Sequence, residues 1–196
     1  MPTNGMILVF YLGKIPGFNL YSTDSDKTIA LFTISILFLA TCIAPLLIAL
    51  ALKKLKIISS LKMPNREERS IPFLLTCFCY FGAYYYLRYE QELPLNGLIF
   101  YFIFFGMFAT LLGFVVTLFW KISIHMIGIG GITGILSFLS KFNQDVLLYP
   151  LSVSFLIAGL IGFSRLRLKA HNAKQLIAGF CLGFCCELFG IFYLFN

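Results

Sequence analysis

The chain has 196 residues, of which 60% are hydrophobic, 17% aromatic and only 12% charged, with a mean hydropathy of +0.92. A soluble domain of this length cannot hide so much apolar surface, which excludes a water-borne globule and makes lipid the solvent. The formal net charge is +7, but the cations gather in short connections between apolar runs, a pattern that sets membrane orientation and meets lipid headgroups, not nucleic acid.

Residues 1–28 are mixed in character and predict an interfacial segment or the remains of a longer helix. Within them Met6 to Leu12 is a short apolar stretch with no basic region before it, so no ordinary cleavable signal is expected. Residues 29–196 predict a single transmembrane domain. Its candidate spans are Ile29–Leu52, Ile71–Leu87, Gly97–Trp120, Ile122–Ser140, Val146–Phe163 and Leu176–Phe195. A helical span needs about 20 apolar residues. The runs are continuous, not alternating, which predicts helices over strands. The expected fold class is therefore all-α, a polytopic bundle of about six transmembrane helices. Pro45 and Pro150 are expected to kink their helices or mark their ends.

The connections alternate. The first carries Lys53, Lys54, Lys56, Lys62, Arg66 and Arg69, the third has Lys121 at its junction, and the fifth carries Arg165, Arg167, Lys169, His171 and Lys174. The second and fourth are poorer in cations and contain Glu90, Glu92 and Asp145. With six spans, connections one, three and five emerge on one side, so most of the basic residues and the only two histidines, His125 and His171, share one face. The positive-inside rule places that face in the cytoplasm.

Gly128, Gly130, Gly131 and Gly134 crowd the fourth span, and Gly179 and Gly183 lie four apart in the sixth, spacings that let helices approach closely. Tyr80, Tyr84, Tyr85 and Tyr86 read as an interfacial aromatic belt. The six cysteines, Cys42, Cys77, Cys79, Cys181, Cys185 and Cys186, all lie in apolar runs and read as buried free thiols. Glu187 is an acid deep in the sixth span, a functional-site signal by default. It falls sixteen residues after His171, which at about 100° per residue places it near the opposite helix face. That phase predicts pairing with another helix, or protonation, and not a place beside the histidines.

Three pieces carry chemistry. They are Lys62 with Arg69, Ser123 with His125, and Ser164-Arg165 followed by His171 and then Gln175. Imidazoles for attack and proton transfer beside fixed cations suit phosphoryl chemistry at a lipid surface. In these pieces the chain resembles the type 2 phosphatidic acid phosphatase superfamily of membrane lipid phosphatases, related to the vanadium haloperoxidases. Their motifs run Lys-x6-Arg-Pro, Pro-Ser-Gly-His and Ser-Arg-x5-His-x3-Asp. The resemblance covers about Lys62 to Gln175, with a divergent, bacterial-type pattern. Ser70 follows Arg69 where the family has Pro. The second motif reads Ile122-Ser123-Ile124-His125 without Pro or Gly, and Gln175 stands in place of Asp.

The resemblance implies an inner-membrane hydrolase of a lipid phosphate or diphosphate. His171 would attack phosphorus to form a phosphohistidine. His125 would protonate the leaving alcohol, and Gln175 would orient His171. Lys62, Arg69, Ser123, Ser164 and Arg165 would hold the phosphate oxygens. No metal or other cofactor is implied, because the cations supply the electrostatics. Many bacterial relatives keep this site on the outer side, against the positive-inside reading, so both orientations stay open. Membrane lipids and a lipid phosphate are the expected partners. The departures motivate a second expectation, a catalytically silent member binding anionic headgroups or a membrane partner through the same cations. A small transporter or assembly factor is a third, carried by the spans alone.

Overall fold

The computed structural model describes residues 24–61, 63, 65, 67–90, 97–141 and 144–195. The described chain is an all-α bundle with no strand among these residues. We label six helices. α1 comprises Asp24–Phe38, a π-helical stretch Leu39–Ile43 and Ala44–Lys54; α2 comprises Glu67–Tyr85 and a π-helical end Tyr86–Glu90. α3 is Gly97–Phe119, α4 Ile124–Leu139, α5 Gln144–Arg167 and α6 Ala173–Phe195. Five are long and apolar enough to cross a membrane, which makes this an integral membrane protein. Residues 1–23 lie outside the described residues, and residues 24–28 are helical within α1.

The prolines do not end their helices. Pro45 sits at the start of Ala44–Lys54, immediately after the π-helical stretch, whose wider turn absorbs the missing donor and ring clash without a break. Pro150 lies inside α5. Large apolar side chains cover the outside, among them Leu47 at 58%, Leu156 at 64% and Phe163 at 63% exposure, levels that only a lipid solvent makes ordinary.

α4 departs from the expected full span Ile122–Ser140. It has 16 residues, about 24 Å at 1.5 Å per residue against a hydrocarbon core of about 30 Å. Its surface explains the difference, because nearly every side chain from Met126 to Leu139 is buried by neighbouring helices. The partner on one side is α6. A Cβ on Gly179 would sit 2.8 Å from the Ser123 carbonyl, one on Gly183 would land on the Ile127 carbonyl, and one on Gly131 would lie 3.2 Å from Glu187 Cγ. Contacts that advance by four residues on both helices mean that α4 and α6 run parallel. Gly130 faces the Phe180 carbonyl at the same short range. Packing of backbone on backbone replaces side-chain interdigitation along this seam.

Two helix ends have the same geometry. At the end of α1, Ile57 N donates to Leu52 O (2.9 Å) and Lys56 N to Lys53 O (3.1 Å), with Lys56 at φ 57°. At the end of α5, Ala170 N donates to Arg165 O (3.0 Å) and Lys169 N to Leu166 O (2.9 Å), with Lys169 at φ 50°. Both are Schellman turns with lysine where glycine is usual. The second reverses the chain so that His171 returns over the bundle end. The first connection is also tied down, since the Glu68 carboxylate accepts from Ser59 N (2.9 Å), Ser59 Oγ (2.8 Å) and Asn65 Nδ2 (3.1 Å).

Candidate phosphate site and membrane chamber

His171 lies just ahead of α6, whose first turn is closed by a capping box. Gln175 N donates to Asn172 Oδ1 (2.9 Å), and Asn172 N donates back to Gln175 Oε1 (3.1 Å). The same Gln175 Oε1 lies 3.3 Å from His171 Nδ1. On the other side of the ring, Arg69 Nη1 approaches His171 Nε2 at 3.2 Å. A guanidinium only donates, so Nε2 holds the lone pair and Nδ1–H donates to Gln175. Gln175 therefore both starts α6 and fixes the His171 tautomer. Arg69 is anchored in turn, its Nε donating to Met63 O (2.9 Å).

The hydrogen bond between Arg69 in the first turn of α2 and His171 before α6 puts these two helix starts together, and the α4–α6 seam brings the start of α4 to the same end. Arg165 acts electrostatically on Arg69, His125 and His171, and Arg69 acts on both histidines. Arg69, Arg165, His125, His171 and Gln175 are thus gathered at one end of the bundle. Lys121 joins them through its effect on His171. From sequence it is a junction cation, and its place two residues before Ser123 is the signal that marks it. Burial first, then the Arg69 and Lys121 charges, hold His171 down at about 4 against its ordinary 6.5, while the Gln175 hydrogen bond works the other way.

Other predicted residues stand elsewhere. Lys62 lies outside the described residues. Ser164 is exposed and its hydroxyl donates to Leu160 O of its own helix (2.8 Å), so it is not directed to His171. Ser123 is 0% exposed at the N-cap of α4. Its Oγ has no hydrogen-bond partner, which places a latent donor inside the α4–α6 seam.

Below the cluster a chamber of about 320 Å³ opens between α1, α2, α3, α4 and α6. His125 lines it together with Thr41, Thr76, Tyr80, Thr110 and Glu187. Two sequence expectations fail here. Tyr80 is buried at 8% exposure and lines the chamber, so it does not belong to an interfacial belt with the exposed Tyr85 and Tyr86. Glu187 shares a cavity with His125, although helical phase counted from His171 placed it on the far face. The count began on a residue outside the helix, since α6 starts at Ala173 and the capping turn resets the phase. Of the two expectations for Glu187, pairing and protonation, the pairing is not made at Oε2, which is buried without a hydrogen-bond partner.

Comparison of the chain with protein-family models, curated proteins and solved structures gave no match.

Proposed function

We propose that this protein is a membrane lipid phosphate (or diphosphate) phosphatase, a divergent relative of the type 2 phosphatidic acid phosphatases, seated in a bacterial inner membrane. One observation carries the reading. An imidazole is held between Gln175 Oε1 and Arg69 Nη1, with its Nε2 lone pair turned towards a group of cations. A phosphate entering that group takes Arg69 as a ligand and uncovers Nε2. Arg69 and Arg165 hold its oxygens, in a fork that suits two oxygens each. His171 Nε2 forms the bond to phosphorus as the bond to the lipid oxygen breaks, and His125 gives the leaving oxygen its proton. Water then cleaves the phosphorus–nitrogen bond, returning the proton to His125 and releasing inorganic phosphate. The substrate dianion adds negative charge beside the histidines, which lets an imidazole carry that proton.

A second reading, headgroup binding without turnover, is favoured by Gln175. An amide orients His171 but adds no charge to stabilise an imidazolium. The deciding experiment uses purified protein in detergent without added divalent cations, supplied with phosphatidic acid, phosphatidylglycerophosphate and a polyprenyl diphosphate. Phosphate release that disappears in His171→Ala is the expected result. Release that survives His171→Ala refutes the histidine mechanism. Vanadate binding with no turnover on any substrate establishes the headgroup-binding reading instead.

A further inference from the structure

The chamber between His125 and Glu187 shares only His125 with the phosphoryl chemistry above, and its walls say what fits. Most of it is apolar, with Pro45, Phe102, Ile124 and Ile132 contributing. At about 320 Å³ it is near the lower bound of small-molecule sites, about 300 Å³. Its polar side chains are few: Thr41, Thr76, Tyr80, Thr110, His125 and Glu187. Thr76 Oγ1 donates to Pro72 O (2.7 Å) and Thr110 Oγ1 to Gly106 O (2.8 Å), so both hydroxyl protons are used within their own helices and only oxygen lone pairs remain. Glu187 is 1% exposed, and its Oε2 has no partner. A buried oxygen left unpaired destabilises the fold, and a hydroxyl partner relieves that.

The space for the carboxyl is built by absent side chains. A Cβ on Gly106 would lie 3.3 Å from Glu187 Oε1, and one on Gly131 3.2 Å from Glu187 Cγ. Depth follows from the α4–α6 register. Glu187 is eight residues past Gly179, which meets Ser123, or about 12 Å further into the bundle at 1.5 Å per residue. An apolar enclosure with a buried, unpartnered carboxyl oxygen at that depth fits a lipid chain that carries one hydroxyl along its length.

We propose that the chamber binds a singly hydroxylated lipid chain, whose hydroxyl hydrogen-bonds with Glu187 Oε2 while its methylenes fill the space up to His125. The site is independent of whether the cationic end hydrolyses phosphate. The test uses the full chain in nanodiscs and native mass spectrometry with two uncharged probes, methyl stearate and the same ester with a mid-chain hydroxyl. Wild type is expected to bind the hydroxylated ester about 10-fold more tightly, the effect of one buried hydrogen bond. Glu187→Leu erases the preference while retaining the plain ester, and Glu187→Gln keeps part of it through its amide oxygen. Monodisperse elution and thermal unfolding identify the variants that fold.

Equal affinity for the two esters in wild type overturns the proposal and leaves Glu187 to water. Binding of neither probe, or a preference that persists in folded Glu187→Leu, overturns it too. His171→Ala separates the two readings. A hydroxyl preference intact in wild type and His171→Ala, with no phosphate release by wild type, counts against the phosphatase alone.

Discussion

Replacing Arg69 with methionine should raise the proton affinity of His171, and the size of the rise follows from geometry. Arg69 Nη1 lies 3.2 Å from His171 Nε2. Two unit charges about 4 Å apart interact by about 1 kcal/mol in water and about 4 kcal/mol at an effective dielectric of 20. His171 is half-buried at the bundle end, so solvent screening holds the effect towards the lower bound, about 1.4 kcal/mol or one pKa unit. The sign is fixed, because a neighbouring cation disfavours imidazolium and its removal favours it. Water entering the vacated space acts the same way. His171 should move from about 4 to about 5, and no further than its ordinary range, since Lys121 and Arg165 remain. The assay is an NMR titration of 13C-labelled histidine in micelles, where two histidines give two Cε1 resonances and His125→Asn assigns them. An unchanged value, or a fall, would refute the electrostatic account of the cluster.

Gln175→Asp should raise the same pKa by about 1–3 units, because an opposite charge replaces an amide; under the proposed function it should also increase phosphate release, read in the same detergent assay. With a folded value of about 4 against 6.5, His171 takes up its proton more readily in the unfolded chain. Stability should therefore fall as pH drops from 6.5 towards 4 and level off below, a slope that thermal unfolding resolves and that His171→Gln flattens. Gly183→Leu should destabilise the bundle by at least about 1–3 kcal/mol, the cost of overpacking, because its first side-chain atom already meets the Ile127 carbonyl; a lowered unfolding temperature in detergent is the readout. Glu68→Ala removes the clamp on Ser59 and Asn65 and should speed tryptic cleavage after Lys56.

The helices were legible because five of them face lipid over a full span, and lipid demands continuous apolar sequence. α4 is shorter than its apolar run for the opposite reason. Packed on all sides by protein, it is under no demand to match the bilayer, and residues 122, 123 and 140 were counted as span only because they are compatible with one. At the site, fixed offsets made Arg165, His171 and Gln175 findable, while the contact of Arg69 with His171 joins residues 102 positions apart and required the bundle to exist. The chamber was not legible from His171. Glu187 lies four residues after Gly183 and eight after Gly179, on the face that meets α4, so the seam glycines set its direction while the cavity itself required the packed bundle.

The glycine seam has a consequence for biosynthesis. α4 leaves the ribosome before α6, and its glycine face is shaped to receive backbone. Until residues 173–195 are made, that groove has only lipid tails to fill it, which cannot follow a carbonyl surface closely. α6 is then the keystone of assembly among the described helices. A nascent chain stopped after α5 holds His125 on an unsupported helix and holds neither Glu187 nor the capping turn. The centre of this protein is consequently completed last, by the final segment of the described chain to enter the membrane.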